Sequence, residues 1–259
     1  MEERMNQPGI RTHHALAKVP EVTLGFWIIK IAVTTLGETG GDAVSMSMNL
    51  GYLVSSAIFA AIFLWAVTAQ IRADRFHRFL YWGTMVVTTT VGTTLADLAD
   101  RSLGLGYAGG ASLLLTLVLL SLYVWHRVEG SVSIHSVSSP RVETFYWVII
   151  MFSQTLGTAL GDWMADSTGL GYLGSAYVFG GLLILVAAAY FRTRLSRTLL
   201  FWSAFVLTRP LGAVVGDLLD KPVSAGGMAF SRYEATGILL SFIIVCVLLF
   251  RQRPARSAH

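Results

Sequence analysis

The chain has 259 residues, 54% of them hydrophobic and 13% charged, with a mean hydropathy of +0.62. Globular proteins carry about 45–50% apolar and about 25% charged residues, so this composition excludes an ordinary soluble enzyme and a disordered tail. The single cysteine, Cys246, excludes a disulfide scaffold.

In chain order, residues 1–21 are polar and irregular, with Pro8, His13, His14 and Pro20. They lack the charged start, short apolar run and small-residue cleavage site of a secretory signal, and are expected to form a cytoplasmic tail. Eight apolar stretches follow, at 23–43, 52–70, 80–100, 105–125, 144–165, 171–191, 199–219 and 235–250. Each supplies the roughly 20 residues that a bilayer core of about 30 Å requires. Spans one to four fill 22–128, a cytoplasmic link fills 129–143, spans five to eight fill 144–251, and 252–259 is a second tail. The expected fold is therefore all-α and polytopic, with eight transmembrane helices.

Of the 19 Lys and Arg residues, fourteen lie in the tails and in the links after even-numbered spans. The other links hold Arg101, Lys221 and Arg232, and Lys30 and Arg209 lie inside spans. That asymmetry predicts a membrane protein with both termini in the cytoplasm. It also argues against nucleic acid as a partner despite a pI near 9.4, because the positive charge is spread loop by loop.

Four segments align without gaps, each with a Gly five residues before an Asp: Gly37/Asp42, Gly92/Asp97, Gly157/Asp162 and Gly212/Asp217. A small residue (Gly41, Ala96, Gly161, Gly216) immediately precedes each Asp, and Trp27, Trp82, Trp147 and Trp202 lie fifteen residues before it. The Asp-to-Asp intervals are 55, 65 and 55, which reads as two halves of two helical hairpins each. Three copies continue into Leu-Gly-Tyr, at Gly51-Tyr52, Gly106-Tyr107 and Gly171-Tyr172; the fourth has an inserted link around Lys221-Pro222 instead. With these motifs the chain resembles a bacterial family of four-repeat membrane proteins whose repeat, of unknown function, has two transmembrane segments and a signature tryptophan. The resemblance spans roughly 22–250 and implies eight spans in a bacterial plasma (inner) membrane but no activity.

Because each repeat holds two spans, the four copies insert the same way up, as parallel repeats. The four Asp residues then share one depth, and each Trp lies about 22 Å nearer the cytoplasm. Offsets of 4, 8, 12 and 15 before the Asp fall on one helical face. In span one that face carries Glu38, Thr34, Lys30 and Trp27; in span three Thr93, Thr89, Met85 and Trp82. In span five it carries Thr158, Gln154, Ile150 and Trp147; in span seven Ala213, Arg209, Phe205 and Trp202. The even spans hold no Asp, Glu, Lys, Arg or His, so odd helices are expected around a central axis with even helices outside. The Gly and Ala of the motif read as close-packing positions, with helix breaks as the alternative. The tryptophans read as interfacial anchors or packing wedges.

A second acid accompanies each motif: Glu38 with Asp42, Asp100 with Asp97, Asp166 with Asp162 and Asp220 with Asp217. Some of Asp100, Asp166 and Asp220 are expected in outer loops. Charge at membrane depth costs about 2.5–3.5 kcal/mol even on permissive scales, so compensation is required. Internal cations (Lys30 below Glu38, Arg209 below Asp217, Arg101 and Lys221 beside the acidic pairs), bound protons or a metal ion would each supply it. Oxygen donors without His or Cys at that depth favour a hard divalent cation. The expected function is a transporter of such a cation, Mn or Mg in class, with Asp42, Asp97, Asp162, Asp217 and Glu38 as ligands. Lys30, Thr34, Thr89, Gln154 and Arg209 would line or couple the path. The alternatives are a carrier of a small organic solute or a proton-coupled carrier, and a non-transporting scaffold with a structural carboxylate network. No tightly bound cofactor is expected, the partners being the lipid bilayer and the transported ion or solute, with the oligomeric state left open. No nucleophile triad, zinc-protease or nucleotide-binding motif stands in a suitable context, so no enzyme is expected.

Overall fold

The computed structural model describes residues 18–134, 137 and 139–255. The expected tails therefore fall mostly outside the described residues, at 1–17 and 256–259. Among the described residues there are eight α-helices and no strand. They are α1 (Leu24–Asp42), α2 (Gly51–Arg72), α3 (Arg78–Asp97), α4 (Gly106–Glu129), α5 (Pro140–Ser167), α6 (Gly171–Arg192), α7 (Arg197–Asp220) and α8 (Arg232–Leu249).

Local chemistry sets their ends. Thr23, Ser139 and Ser196 cap α1, α5 and α7 by accepting from Phe26 N, Val142 N and Leu199 N at 3.3, 3.3 and 3.4 Å. Ser139-Pro140 starts α5 a turn earlier than its apolar run, since Pro suits the first helical position and Ser the cap. The Leu-Gly-Tyr motif is a turn: Gly51, Gly106 and Gly171 open α2, α4 and α6 with φ of 72°, 67° and 63°. Two residues earlier Asn49, Gly104 and Gly169 are also left-handed, at 55°, 70° and 76°. Residues with a Cβ seldom adopt that conformation, which explains why glycine recurs there.

The odd helices form a closed ring. α1 packs on α3 and α7, and α5 packs on the same two. Each even helix lies outside and packs chiefly on the next odd helix in the cycle: α2 on α3, α4 on α5, α6 on α7 and α8 on α1. The outer helices expose large apolar side chains such as Leu53, Trp65, Leu119, Ile184 and Leu248, whereas the inner faces of α1, α3, α5 and α7 are buried. Five helices, α2, α4, α6, α7 and α8, are long and apolar enough to cross a membrane. The array fits a multi-pass membrane protein. α1, α3 and α5 are less apolar because they carry buried threonines, Lys30, Gln154 and carboxylates on their ring-facing sides.

The motif glycines let the ring close. A Cβ at Gly37 would lie 2.3 Å from Thr89 Oγ1, at Gly92 2.9 Å from Gln154 Cβ, at Gly157 2.2 Å from Arg209 Cγ, and at Gly212 2.3 Å from Thr34 Oγ1. Each inner helix thus receives, at its glycine, the side chain eight residues before the Asp of the next helix. The inner helices run unbroken through the motif; only after Asp42 and Asp97 do single π turns follow, Ala43–Ser47 and Leu98–Ser102.

At the opposite end the tryptophans pack inward. Trp82 and Trp147 are 2% exposed and Trp202 6%. Tyr81 lies edge-on to Trp82, contacts Trp147 and shares a 2.6 Å hydrogen bond with Tyr146. Trp27, partly exposed, contacts Phe26 and Phe201. Beneath this floor the two described chain ends meet: Pro20 bridges Pro254, Ala255 N donates to Val19 O at 2.8 Å, and Glu21 N to Arg253 O at 2.8 Å. Lys18 Nζ fixes the clasp on Glu143 at 2.7 Å and Ile71 O at 2.9 Å.

The interlock makes a direct prediction. Gly157→Ala drives a methyl into the Arg209 stem and is expected to cost about 1–3 kcal/mol through overpacking. Gly180→Ala, with nothing within 4 Å of the added carbon, is expected to be neutral or stabilising by about 0.5–1 kcal/mol. Thermal unfolding of both variants in detergent measures the difference.

Candidate functional site

The C-terminal ends of the inner helices bring Asp42, Asp97, Asp162 and Asp217 to one end of the ring, all 1–3% exposed. They are bridged in pairs. Arg101 Nε contacts Asp97 Oδ1 at 2.9 Å and its Nη2 lies 3.4 Å from Asp162 Oδ2. Lys221 Nζ lies 2.6 Å from Asp42 Oδ2 and 3.0 Å from Asp217 Oδ1. Burial pulls the Lys221 ammonium pKa down, but Asp217, Asp42 and Asp220 outweigh it and hold the group above the ordinary lysine range. Both bridging cations stand four residues after a motif Asp, one turn on, from which they reach the neighbouring helix.

Arg209, two turns before Asp217, is fully buried, and its guanidinium reaches the layer one turn below the four Asp residues. Its Nη2 donates to Glu38 Oε2 at 3.0 Å and also to the hydroxyls of Thr93 and Thr158, and its Nη1 donates to Thr34 O at 3.0 Å. The guanidinium thus joins all four inner helices. The fourth residue of that layer is Ala213, small enough to leave the fork room. Arg209 therefore serves Glu38 rather than Asp217, which its position two turns below Asp217 had suggested.

Lys30 departs from expectation as well. It is 0% exposed, and its Nζ has no hydrogen-bond partner among the described residues. It stands 4.2 Å from the Phe205 ring centroid instead of neutralising Glu38. Arg209 already occupies Glu38 from across the ring. Thr34 and Thr89 donate their hydroxyl protons to backbone carbonyls, Thr34 to Ile31 and Thr208 and Thr89 to Val86 and Val33, which ties neighbouring helices together. Both amide atoms of Gln154 are buried without partners.

The second acids diverge. Asp220 is buried at the end of α7 and pairs with Arg232 at 3.2 Å. Asp166 is exposed in the last turn of α5 and accepts from Tyr107 at 2.8 Å. Asp100 lies in the π turn after α3, partly buried, with both oxygens unpartnered. None is in an extended loop, because the helices continue past the motif Asp.

Carboxylate oxygens of Glu38, Asp162 and Asp217 lie within 4.8 Å of one another, and so do those of Asp42, Asp217 and Asp220. The acids gather into two overlapping groups sharing Asp217, with Asp97 in neither, instead of one ring around a single centre. Lys221 sits against Asp42 and Asp217 of the second group, and Arg101 joins Asp97 to Asp162. Sequence reading missed the cross-helix reach of Arg101, Lys221 and Arg232, and missed Glu143 altogether. The offset of four from Asp97 and Asp217 was the available signal for Arg101 and Lys221; Glu143 lies outside the repeat pattern.

Truncating Arg209 tests the core of this network. Arg209→Met leaves Glu38 charged and unpaired and is expected to destabilise by about 3–5 kcal/mol, whereas adding Glu38→Met restores most of the loss. A double-mutant cycle on unfolding in detergent reads the coupling.

Comparison with known proteins supports the duplicated architecture. The family described as Repeat of Unknown Function (DUF347) matches at 25–76, 80–131, 145–196 and 200–253, one match for each helical hairpin. No curated protein and no solved structure matches the chain. With four consecutive matches covering most of its length, the chain belongs to the DUF347 repeat family.

Proposed function

We propose that this protein is a membrane transporter for a hard divalent cation of the Mg or Mn class, with the buried carboxylate chamber of the inner ring as its binding site. In this reading all eight helices cross the bilayer as four parallel hairpins. Both termini face the cytoplasm of a bacterial cell, and the chamber lies toward the outer surface. The weaker hydropathy of α1, α3 and α5 fits helices shielded from lipid by α2, α4, α6 and α8.

The observation that carries the proposal is a charge imbalance. Six buried carboxylates (Glu38, Asp42, Asp97, Asp162, Asp217, Asp220) face four cations (Arg101, Arg209, Lys221, Arg232). The excess of two negative charges equals one divalent cation or two protons. Asp42 Oδ1, Asp97 Oδ2, Asp162 Oδ1 and Asp220 Oδ1 are buried without hydrogen-bond partners, so each of these carboxylates keeps an oxygen to offer. The donors are all oxygen, which suits Mg or Mn better than a soft metal.

The chain's own cations define how such a site would work. Arg209 and Lys221 act as tethered competitors, satisfying Glu38, Asp42 and Asp217 while no ion is bound. A divalent ion on Glu38, Asp162 and Asp217 displaces Arg209 from Glu38. Two protons neutralise the same excess, so metal and protons compete, and a pH gradient drives exchange. The scaffold reading draws on the cation found within 3.4 Å of each motif Asp; it accounts for the bridges but not for the unpartnered oxygens.

In detergent, Mn or Mg is expected to raise the melting temperature of the purified protein, and Asp162→Asn to abolish that rise while expression is retained. In proteoliposomes, Mn flux should depend on a pH gradient and vanish in the same variant. A wild-type protein whose stability ignores divalent ions and whose vesicles are impermeable to Mn supports the scaffold instead.

A further inference from the structure

Where α4 turns back into α5, the chain departs from its repeat. α5 begins seven residues before Trp147, whereas α1, α3 and α7 begin three, four and five residues before Trp27, Trp82 and Trp202. α4 runs for 24 residues against 22 for α2 and α6. The link between α4 and α5, residues 130–139, is also longer than its counterparts at 73–77 and 193–196. α4 and α5 thus project past the tryptophan level, and between their projecting ends lies a cavity of about 470 Å³. Leu120 and Val124 of α4 and Phe145 and Val148 of α5 give it apolar walls, and Thr144 and Arg141 line it as well. Phe145 stacks parallel to the buried Trp125, ring centroids 6.5 Å apart, which anchors one wall in the core. Leu120, Val124 and Val148 are exposed, so the cavity opens on the outside of the bundle.

The charge lies at one end of this groove. Arg141 stands seven residues before Val148, about 10 Å along the helix axis. On α4, Arg127 is three residues past Val124 and seven past Leu120, on the same helical face. Glu129 lies 3.2 Å from Arg141 Nε. Both of these side chains reach solvent, and such pairs bind weakly. One acid beside two arginines leaves a single positive charge at the mouth of an apolar groove.

We propose that this groove binds one anionic phospholipid, with an acyl chain along Leu120, Val124, Phe145 and Val148 and the phosphodiester on Arg141. The inference rests on the reading that the helices cross the bilayer with this link in the cytoplasm. The planar guanidinium fork matches phosphate oxygens, and its Nε alone is engaged among the described residues. The single negative charge of the phosphodiester balances the surplus. A soluble anion would use the arginine and leave the walls wet, and a zwitterionic lipid would leave the surplus charge in place. Basic pockets between helices on the cytoplasmic side suit anionic head groups for the same reasons. The groove lies at the opposite end of the bundle from the carboxylate chamber, so it does not depend on the transported ion.

The test uses the full chain, purified in detergent and stripped of lipid. Phosphatidylglycerol is expected to raise the melting temperature by several degrees in a saturable way. Phosphatidylcholine with the same chains, and glycerol 3-phosphate alone, are expected to do much less. Arg141→Gln, at an exposed position, is expected to weaken phosphatidylglycerol binding about tenfold. Val124→Trp, which fills the groove and keeps the arginine, is expected to abolish the response, and Arg194→Gln in the α6–α7 link to leave it unchanged. Equal stabilisation by the two lipids, a full response to glycerol 3-phosphate, or a phosphatidylglycerol response that either groove variant leaves intact overturns the proposal. Retention of the protein in carbonate-washed membranes reports separately on the membrane reading.

Discussion

A methyl group at Gly157 would lie 2.2 Å from Arg209 Cγ, and one at Gly212 2.3 Å from Thr34 Oγ1. These distances describe the constraint behind the whole bundle: inner helices approach so closely that a side chain of one occupies the space where its neighbour lacks a Cβ. The same contact repeats around the ring, so the four helices are locked in register as well as in spacing. Register is what counts chemically. Once the layer eight residues before the Asp is fixed by the glycines, the layers of Glu38 and of the four Asp residues are fixed above it, and that of Lys30 below. Packing in lipid gains little from hydrophobicity between helices, so close van der Waals contact and buried hydrogen bonds must supply the cohesion.

That register concentrates carboxylates, and the molecule answers with cations held by short helical offsets. Arg101 and Lys221 arise one turn beyond their own Asp and lean to the next helix; Arg209 arises two turns before its Asp and crosses to Glu38. Buried ion pairs rarely add stability relative to apolar packing, because desolvation costs several kcal/mol per ion. A bundle that needed only cohesion would be served as well by leucine. The retained charges and their unpartnered carboxylate oxygens are the features on which the proposed cation site draws.

Much of this was legible in the chain itself. The eight apolar runs, the fixed offsets of Trp, Gly and Asp, and the confinement of polar residues to odd helices place the inner ring and its acidic end. The pairings were not legible. Lys30 and Glu38 share a helical face two turns apart, which suggests neutralisation, yet Arg209 reaches Glu38 from α7 and leaves Lys30 alone. Helical spacing orders residues along one helix, whereas the choice of partner depends on which helix stands beside it. Here the cycle brings α7 against α1, the two inner helices farthest apart in sequence. The bonding of Thr34 and Thr89 was hidden for a related reason: a hydroxyl in a helix can donate to its own preceding turn, and sequence does not show where its proton goes.

The fourfold arrangement is broken in a regular way. Four residues after the motif Asp the successive copies carry Met46, Arg101, Asp166 and Lys221, so a cation occurs in alternate repeats. The bridges it makes join α3 to α5 and α7 to α1, and the Arg209–Glu38 pair also joins α7 to α1. Those are the two junctions between the halves of the chain. All four junctions share the glycine interlock, with Thr89 at Gly37, Gln154 at Gly92, the Arg209 stem at Gly157 and Thr34 at Gly212, but among the described residues no ion pair joins α1 to α3 or α5 to α7. Interlocked apolar contacts resist separation whatever the ionic state. Ion pairs between the halves are exchangeable, because a competing cation can replace either partner. In the proposed reading, an ion that drew Glu38 from Arg209, or Asp42 from Lys221, would remove a charged contact at this seam while the glycine interlock there and the packing of α4 on α5 and of α8 on α1 remained. The alternation of charge thus gives the two junctions between the halves a contact that the proposed ligand would compete for, which the two junctions within the halves lack.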